Sequence, residues 1–372
     1  MKIPLSRPEI TESDIDAVVS VLRTTQLSLG PKLPGFEAAF AQYIGVAHGV
    51  ALSSGTAGLH LSLLALGIGE GDEVILPSFT FIAAANAVRH AGATPVFADV
   101  DPLSLNLSAE SIERAITPQS RAILLVHTFG YPAELDPILS LARKHNLRVI
   151  EDACEAIGAE YSGRKVGGFG DLGVFSFYPN KPMTTGEGGV VVTRDSTLAK
   201  TLRALRNQGR MEGDGWLQHS ILGYNYRLSE ISCALGLSQL KNIESILSRR
   251  EALANRYYEV LQGYPDVMPP PMTLANGRVS WFAYVVRLSE RFTRTDRDQV
   301  VEALTAAGIG CRAYFPPIHL QPLYATCAGT RQSLAVSEDI ASRTLALPFF
   351  NALRDDEILQ VCRNLGEALQ AI

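Results

Sequence analysis

Short apolar runs alternate with amphipathic stretches through the first half of the chain. From about residue 46, runs such as GVALSS, EVILPS and TPVFADV alternate with helically spaced segments such as AGLHLSLLAL, FIAAANAVRHA, AESIERAI and LDPILSLARKH. The runs RAILLVHTFG, LRVIEDA, GVFSFY and GGVVVT continue the series. Continuous apolar strands that alternate with helices predict a mostly parallel sheet covered on both faces. We therefore predict an α/β fold for this part of the chain.

The segments around this series follow other patterns. Thr11 to Asp14 predicts a capped helix start, the Gly/Pro-rich residues 29–35 predict a loop, and residues 36–43 predict a short helix. After the series, one long helix is predicted over about residues 228–261, and the Pro-rich YPDVMPPPM predicts a connection.

The C-terminal part predicts a second, smaller module. WFAYVVRL and GCRAYF predict strands, and DRDQVVEALTAAG and DDEILQVCRNLGEAL predict helices. Strands and helices mixed over about a hundred residues are typical of a small α+β domain. We predict a large domain over residues 12–245 and a small α+β domain over residues 246–372, with residues 1–11 packed near the active site.

Composition narrows the classes of function. The 372 residues are 47% hydrophobic and 19% charged, which is typical of a globular enzyme and not of a disordered or fibrous chain. The net charge of −5, without long runs of one sign, argues against a nucleic-acid surface or a polybasic membrane patch.

The cysteines and the N-terminus bear on the compartment. Cys154, Cys233, Cys311, Cys327 and Cys362 are scattered and lack metal-ligand spacing, which indicates a reducing compartment, no disulfide framework and no metal site. The chain starts without a signal-peptide pattern and contains no apolar run of membrane-spanning length. We therefore expect a cytoplasmic protein.

Polar residues gather at the predicted carboxyl ends of the strands, where parallel sheets bind ligands. Residues 54–56 (Ser-Gly-Thr) end one strand and open a helix, which suits either a phosphate site or a simple helix cap. Asp152 ends the strand LRVIED, either facing the same crevice or serving as a capping or ion-paired residue. His127 and Phe81 follow two other strands, although most aromatic side chains at such positions belong to the core.

The stretch FSFYPNKPMTTGEGG holds a single lysine, Lys181, between a strand and a Gly-rich turn. Burial favours the neutral, nucleophilic form of an amine, which can then react with an aldehyde. On position alone, a solvated surface lysine is the alternative. Together, the phosphate cradle at 54–56, Asp152, Phe81, the Ser176 hydroxyl and Lys181 complete the set that a pyridoxal 5′-phosphate (PLP) site needs.

These motifs resemble the DegT/DnrJ/EryC1/StrS sugar aminotransferases, which are PLP enzymes of fold type I. The resemblance lies in SSGTAGLHLSLLALGIGEGDEVILPSFTFIAAANAV, ATPVFADVDP, VIEDACEAIGAEYSGRKVGGFGDLGVFSFYPNKPMTTGEGG, GYNYRLSEISCALGLSQL and RAYFPPIHLQPLY. Together they span nearly the whole chain. The resemblance implies a large PLP-binding domain, with a mostly parallel mixed sheet between helices, and a smaller α+β C-terminal domain.

The resemblance also assigns roles to individual residues. Lys181 would be the Schiff-base lysine, Asp152 the partner of the pyridine nitrogen, and Phe81 the residue stacked on the ring. The phosphate would be held by Gly55, Thr56, Ala57, Ser176 and, from the neighbouring subunit, Asn225. The resemblance therefore implies an obligate homodimer with shared active sites.

Two positions indicate which subgroup of the family the sequence resembles. Glu155 stands where many members have Gln or His near the cofactor's 3-hydroxyl, and Glu resembles the perosamine synthases, which aminate C4 of a GDP-linked 4-keto-6-deoxy sugar. A carboxylate beside the phenolate disfavours that charge unless one of the two is protonated. A lysine at position 181 argues against the dehydratase members, which carry histidine there.

Four more residues are candidates for contact with the sugar nucleotide: Arg210, Arg227, Tyr314 and His319. For the two arginines the alternative is a surface or interface salt bridge. For His319 the alternative is a loop histidine bonded to a nearby carbonyl.

The leading hypothesis is an aminotransferase in amino-sugar biosynthesis for a polysaccharide, such as an O-antigen, or an antibiotic. It would take the amine of L-glutamate, with pyridoxamine 5′-phosphate formed on the way, and pass it to a keto group of a nucleotide-linked deoxysugar. A PLP-binding regulator and a PLP enzyme of another type, such as a lyase, remain as alternatives. The absence of a helix-turn-helix pattern and of a basic face argues against the regulator. The sequence leaves open the sugar, its nucleotide, and amination at C3 or C4.

Overall fold

A computed structural model gives the structure of residues 2–326 and 331–372, so Met1 and Cys327 lie outside the described residues. The strands are β1 (His48–Leu52), β2 (Glu73–Pro77), β3 (Thr94–Ala98), β4 (Ser120–Val126), β5 (Arg148–Asp152), β6 (Glu160–Tyr161), β7 (Arg164–Lys165), β8 (Leu172–Ser176), β9 (Gly189–Thr193), β10 (Val267–Met268), β11 (Gly277–Arg278), β12 (Tyr284–Leu288) and β13 (Thr344–Leu347). The α-helices are α1 (Glu12–Leu22), α2 (Lys32–Ile44), α3 (Gly55–Ala65), α4 (Ala83–His90), α5 (Ala109–Ala115), α6 (Leu135–Lys144), α7 (Ser196–Arg206), α8 (Glu230–Lys241), α9 (Ile243–Leu261), α10 (Arg294–Ala306), α11 (Ala335–Arg343) and α12 (Asp355–Gln370).

Seven strands form the central sheet in the order β1-β9-β8-β5-β4-β2-β3. Neighbours from β8 to β3 are parallel, whereas β9 is antiparallel to both β8 and β1. Along β4, Ile123 and Leu125 join one apolar cluster, and Leu124 and Val126 join the cluster on the opposite face. Burial on both faces explains the continuous apolar runs and confirms the mostly parallel mixed sheet.

The C-terminal part is built on the antiparallel sheet β10-β12-β13, against which α9 to α12 pack. Its apolar core also takes in Ile3, Phe79 and Phe129 from the N-terminal half, so the two parts are continuous. The predicted boundary between residues 245 and 246 falls inside α9 and stays a prediction. The N-terminal segment joins this part, because the N–H groups of Lys2 and Ile3 both donate to the Gly308 carbonyl.

The predicted loop over residues 29–35 is wrong in its second half, where α2 begins at Lys32. The Glu230 carboxylate accepts the N–H groups of Lys32 at 2.7 Å and Leu33 at 2.9 Å, so a distant side chain caps this helix. Pro34 lies in the first turn, where no intrahelical N–H bond is required.

Two predictions for the second half are also wrong. The helix predicted over residues 228–261 is two helices separated at Asn242, a residue type that favours helix ends. GCRAYF forms only an isolated bridge at Arg312, and the strand that pairs with β12 is β13. Residues 335–347 carried no predicted element, yet they form α11 and β13.

Within residues 2–326 and 331–372, no helix combines the length and the apolar character needed to cross a membrane. The cysteines of these ranges are free thiols, and no cluster of three His, Cys, Asp or Glu there could hold a metal ion.

Glu151 holds the carboxyl end of β5 in place from the face of the sheet opposite Asp152. Its buried carboxylate accepts the N–H groups of Gly167, Phe169 and Gly170, each at 2.7 Å, and lies 3.1 Å from Nε2 of His127. Burial favours the neutral acid, but these hydrogen bonds outweigh that cost and lower the pKa of Glu151. Because side chains alternate along a strand, the next residue, Asp152, faces the other way.

We predict that Glu151→Ala lowers the free energy of unfolding by about 3–5 kcal/mol, because several buried donors lose their acceptor. The contribution of a carboxylate with a lowered pKa is complete above its unfolded-state pKa and is lost as the pH falls through the folded-state pKa. Denaturant titrations at pH 7 and pH 4 measure both effects. Glu113→Ala, which removes an exposed partner of Lys144, is the control; equal losses for the two variants would contradict the assignment.

Candidate active site

A cavity of about 640 Å³ lies at the carboxyl ends of β4, β5 and β8, beside the N-terminus of α3. The predicted residues that line it are Gly55, Thr56, Phe81, Asp152, Glu155, Ser176, Lys181 and Tyr314. Residues from five separate segments therefore meet at the sheet edge where parallel strands bind ligands.

The N-terminus of α3 lies at the edge of the cavity, where the phosphate site is predicted. Ser54 caps the helix, and its Oγ accepts the Ala57 N–H at 3.1 Å. The N–H groups of Gly55 and Thr56 precede the first helical hydrogen bond, and both residues line the cavity. The structure shows that Ser54 is a cap; the phosphate site at these N–H groups stays a prediction.

Glycine is required at position 55. A Cβ there would lie 2.8 Å from Cβ of Ser176 and 2.9 Å from Sγ of Cys154. Only glycine lets the start of α3, the end of β8 and the loop after β5 approach one another this closely. The same approach places the Ser176 hydroxyl oxygen 3.1 Å from where that Cβ would lie, at the start of α3.

Lys181 faces two buried carboxyl groups. Its Nζ lies 3.6 Å from Oε1 of Glu155, and its side chain is 12% exposed. Asp152 accepts the Cys154 N–H at 3.1 Å. Burial raises the pKa of Asp152 and of Glu155, while the charge of Lys181 opposes both shifts.

The comparisons with known proteins agree with this geometry. A model of the DegT/DnrJ/EryC1/StrS aminotransferase family matches residues 8–366. The chain belongs to this family. The predicted family and fold type are thereby confirmed.

Two relatives of the family match over almost their whole length. GDP-perosamine synthase of Caulobacter vibrioides is 42% identical over 99% of this chain and 98% of its own. UDP-N-acetyl-3-dehydro-alpha-D-glucosamine 3-aminotransferase of Acidithiobacillus ferrooxidans is 41% identical over 95% of this chain and 93% of its own.

Solved structures of family proteins have the same fold. Helicobacter pylori PseC, an aminotransferase involved in the biosynthesis of pseudoaminic acid, superposes with a TM-score of 0.94 at 31% identity, covering all of both chains. The putative sugar aminotransferase Spr1654 from Streptococcus pneumoniae, solved in a PLP form and a PMP form, also gives 0.94, at 26% identity over 99% of each chain.

A strained turn after β4 contacts Glu155, the neighbour of Lys181. The strand predicted through residue 130 ends at Val126, and Phe129 adopts a φ of 54°. The Phe129 N–H donates to Oε2 of Glu155 at 3.0 Å. Gly130 must be glycine, because its φ is 91° and a Cβ would lie 1.7 Å from the Ser280 carbonyl oxygen.

His127, a candidate at the end of β4, does not line the cavity. Its Nδ1 accepts the Ala133 N–H, and its Nε2 bonds the Glu151 carboxylate.

The C-terminal part contributes one wall that the sequence reasoning missed. The Phe282 ring centre lies 3.9 Å from Nζ of Lys181. The buried Arg250 holds this segment by donating to the carbonyls of Trp281 at 2.5 Å and Phe282 at 2.7 Å. No local motif marks Phe282, because only the tertiary fold brings it to the lysine.

Two other missed residues, Tyr178 and Asn180, come shortly before the lysine in FYPNKP, so the motif itself could have revealed them. Both line the cavity, and within the described ranges the buried Oδ1 of Asn180 has no hydrogen-bond partner. A buried acceptor without a partner is expected where a ligand supplies a donor.

The aromatic candidates differ in how their rings are placed. Phe81 is 59% exposed at the cavity mouth, and its ring lies 6.4 Å from that of Phe315. Tyr314 stacks on Phe315 at 4.9 Å. The predicted stacking of Phe81 on a bound ring stays a prediction.

The remaining candidates lie outside the cavity wall of this chain. His319 is buried. Its Nδ1 lies 2.6 Å from Oγ of Ser78, and its Nε2 lies 3.2 Å from the Glu338 carboxylate. The ring therefore bonds two side chains and not a nearby carbonyl, which was the alternative for this residue.

The two candidate arginines contact residues of their own surroundings. Arg227 donates to Asn207 at 3.0 Å, and the Arg210 guanidinium lies 5.6 Å from the Trp216 ring. Ala57 is buried in the first turn of α3, and Asn225 is exposed.

The residues present fit PLP. The cradle at Gly55 has no room for a Cβ, the phosphate would meet free N–H groups, and a carboxyl and an amine lie further along the cavity. The unpartnered Oδ1 of Asn180 adds an acceptor.

We predict that Gly55→Ala weakens PLP binding at least about tenfold, because the new methyl group displaces Ser176 or the start of α3. Equilibrium dialysis against PLP measures the loss. Gly69→Ala is the control, because its Cβ would meet only an ordinary contact at 3.6 Å. Unchanged affinity in Gly55→Ala would contradict the phosphate site.

Proposed function

We propose that this protein is a PLP-dependent aminotransferase that moves the amino group of L-glutamate to a keto group of a nucleotide-linked deoxysugar. The observation that carries the proposal is the meeting of the Lys181 amine, the Asp152 carboxyl and the open N-terminus of α3 in one cavity. A regulator that only binds PLP would not release 2-oxoglutarate from glutamate, so that release separates the two hypotheses.

When bound, PLP supplies an aldehyde that binds amines and a ring that accepts the electron pair of a carbanion. The N-terminus of α3 and Ser176 would bind the phosphate, and Asp152 would stabilise positive charge on the ring nitrogen. Lys181 Nζ would take a proton from the substrate carbon that bears the nitrogen and deliver it to the carbon on the other side of that nitrogen, which is a 1,3 proton shift. The rings of Phe282 and Tyr314 would keep water away from this transfer.

The same residues would serve both halves of the exchange, because proton transfer at Nζ is reversible. Glutamate would give its amine and leave as 2-oxoglutarate, and the keto sugar would then receive the amine. That Spr1654 has been solved in a PLP form and a PMP form is consistent with such a cycle.

For the acceptor we propose a GDP-linked 4-keto-6-deoxyhexose. The relative with 42% identity is named GDP-perosamine synthase. A glutamate at position 155 also resembles the perosamine-synthase subgroup of the family. A UDP-linked N-acetyl-3-keto sugar is the second candidate, since the relative with 41% identity is named for one. Supplying each keto sugar with glutamate, and identifying the amino sugar by mass spectrometry, separates the two.

We further propose a homodimer in which Asn225 serves the partner's site. Asn225 is exposed and lies outside the cavity of its own chain. Trp216, Leu217 and Leu222, in the segment before it, are 81%, 79% and 86% exposed, which is unusual for apolar residues without a covering surface. Sedimentation and a mixed-subunit assay with Asn225→Ala would test this arrangement.

We predict that Lys181→Ala folds but lowers the rate of 2-oxoglutarate formation at least about a thousandfold, because the proton carrier is lost. A coupled assay with glutamate and the GDP-linked keto sugar measures the rate.

Lys165→Ala is the control for this loss, because Lys165 pairs with Glu160 outside the cavity; it should retain at least about half of the activity. Wild-type turnover by Lys181→Ala, or wild-type protein that takes up no PLP, would contradict the proposed function.

A further inference from the structure

Glu155 divides its two carboxylate oxygens between different partners. Oε2 accepts the Phe129 N–H at 3.0 Å, and Oε1 lies 3.6 Å from Nζ of Lys181. The side chain is only 11% exposed. One oxygen is therefore anchored to backbone, which aims the other at the amine.

The Lys181 amine is held on both sides. The Glu155 carboxylate lies on one side, and the Phe282 ring centre lies 3.9 Å away on another. Both neighbours favour a positive charge on the nitrogen, the first as an opposite charge and the second through the negative face of its ring. Both are themselves fixed, Glu155 by Phe129 and Phe282 by Arg250.

We propose that Glu155 is a positioning residue for Lys181, holding Nζ in place and stabilising the ammonium that forms whenever the amine takes a proton. The inference rests on the proposed function, in which Nζ takes that proton from a substrate carbon. The electron pair of the broken C–H bond would be drawn toward the ring of the bound cofactor, and the proton would bind the nitrogen lone pair. When the proton is delivered to the carbon on the other side of the transferred nitrogen, Lys181 and Glu155 regain their initial state.

A charged partner is needed because the cavity hydrates an ammonium poorly. An opposite charge within about 4–6 Å shifts a titration by about 1–3 pH units, which a neutral amide cannot do. Burial raises the pKa of Glu155, and the charge of Lys181 opposes that rise, as expected for a coupled pair. The other titratable groups that face the pair or line the cavity are Asp152, Cys154, Tyr178, Glu187 and Tyr314.

Glu155→Gln separates charge from hydrogen bonding, because the amide oxygen can still accept the Phe129 N–H. The cofactor-free protein is pulsed with acetic anhydride between pH 6 and pH 11, and the labelling of Lys181 is quantified by peptide mass spectrometry. We expect the midpoint pH for Lys181 to fall by about one unit or more in Glu155→Gln. An equal or higher midpoint would overturn the proposal.

Glu187→Gln is the matched control, because it removes the same charge from an exposed position on the cavity wall. In Glu187→Gln, the midpoint pH for the labelling of Lys181 should move by less than about 0.3 pH units. A shift as large as that of Glu155→Gln would mean that only the net charge of the cavity matters, and would also overturn the proposal.

A second variant keeps the test decisive if Glu155→Gln does not fold. In Lys181→Met, Glu155 stays buried but loses its cation, so it should keep its proton to a higher pH than when Lys181 is present. Infrared titration in an Asp152→Asn background, which removes the other carboxyl group opposed by Lys181, should show the protonated carboxyl band persisting to higher pH with Lys181→Met than without it. An equal or lower midpoint pH would overturn the pairing. Because neither measurement uses PLP, failure of the proposed function would show separately, as wild-type protein that binds no PLP.

Discussion

A single lysine compensates two carboxyl groups that are buried at one edge of the central sheet. Burial alone drives Asp152 and Glu155 toward their neutral forms, and the charge of Lys181 opposes this for both. Much of the surrounding structure maintains that balance. Glu151 fixes the end of β5 below Asp152, the Phe129 turn anchors Glu155, and Phe282 covers the amine. The reactivity of the site is therefore a property of the group and not of the lysine alone.

Hydrogen bonds and a shared apolar core connect the C-terminal part to this site. Arg250 of α9 is fully buried, and burial lowers its pKa to about 9, yet it holds the Trp281 and Phe282 carbonyls. The same apolar core includes Phe129, whose N–H holds Glu155. A change in the packing of α9 can thus reach both neighbours of Lys181 without touching the cavity. Such coupling suits an enzyme that must exclude water during proton transfer.

Sequence reasoning succeeded where structure depends on local pattern. Apolar runs placed the strands of the sheet, and strand ends placed Gly55, Asp152 and Lys181 in one cavity. It failed where a distant partner decides the outcome. Glu230 caps α2 from almost two hundred residues away, Ser78 and Glu338 hold His319, and Phe282 reaches Lys181 only through the tertiary fold. The Phe129 turn was missed because Thr128 and Phe129 are residue types that strands favour.

The most direct test of the central claim identifies the amine that binds the cofactor aldehyde. Wild-type protein is incubated with PLP, reduced with borohydride, digested and analysed by mass spectrometry for the pyridoxyl-modified lysine. The account predicts stoichiometric modification of Lys181, with only trace labelling of other lysines. Modification centred on another lysine, or none above the level of a surface reaction, would contradict it.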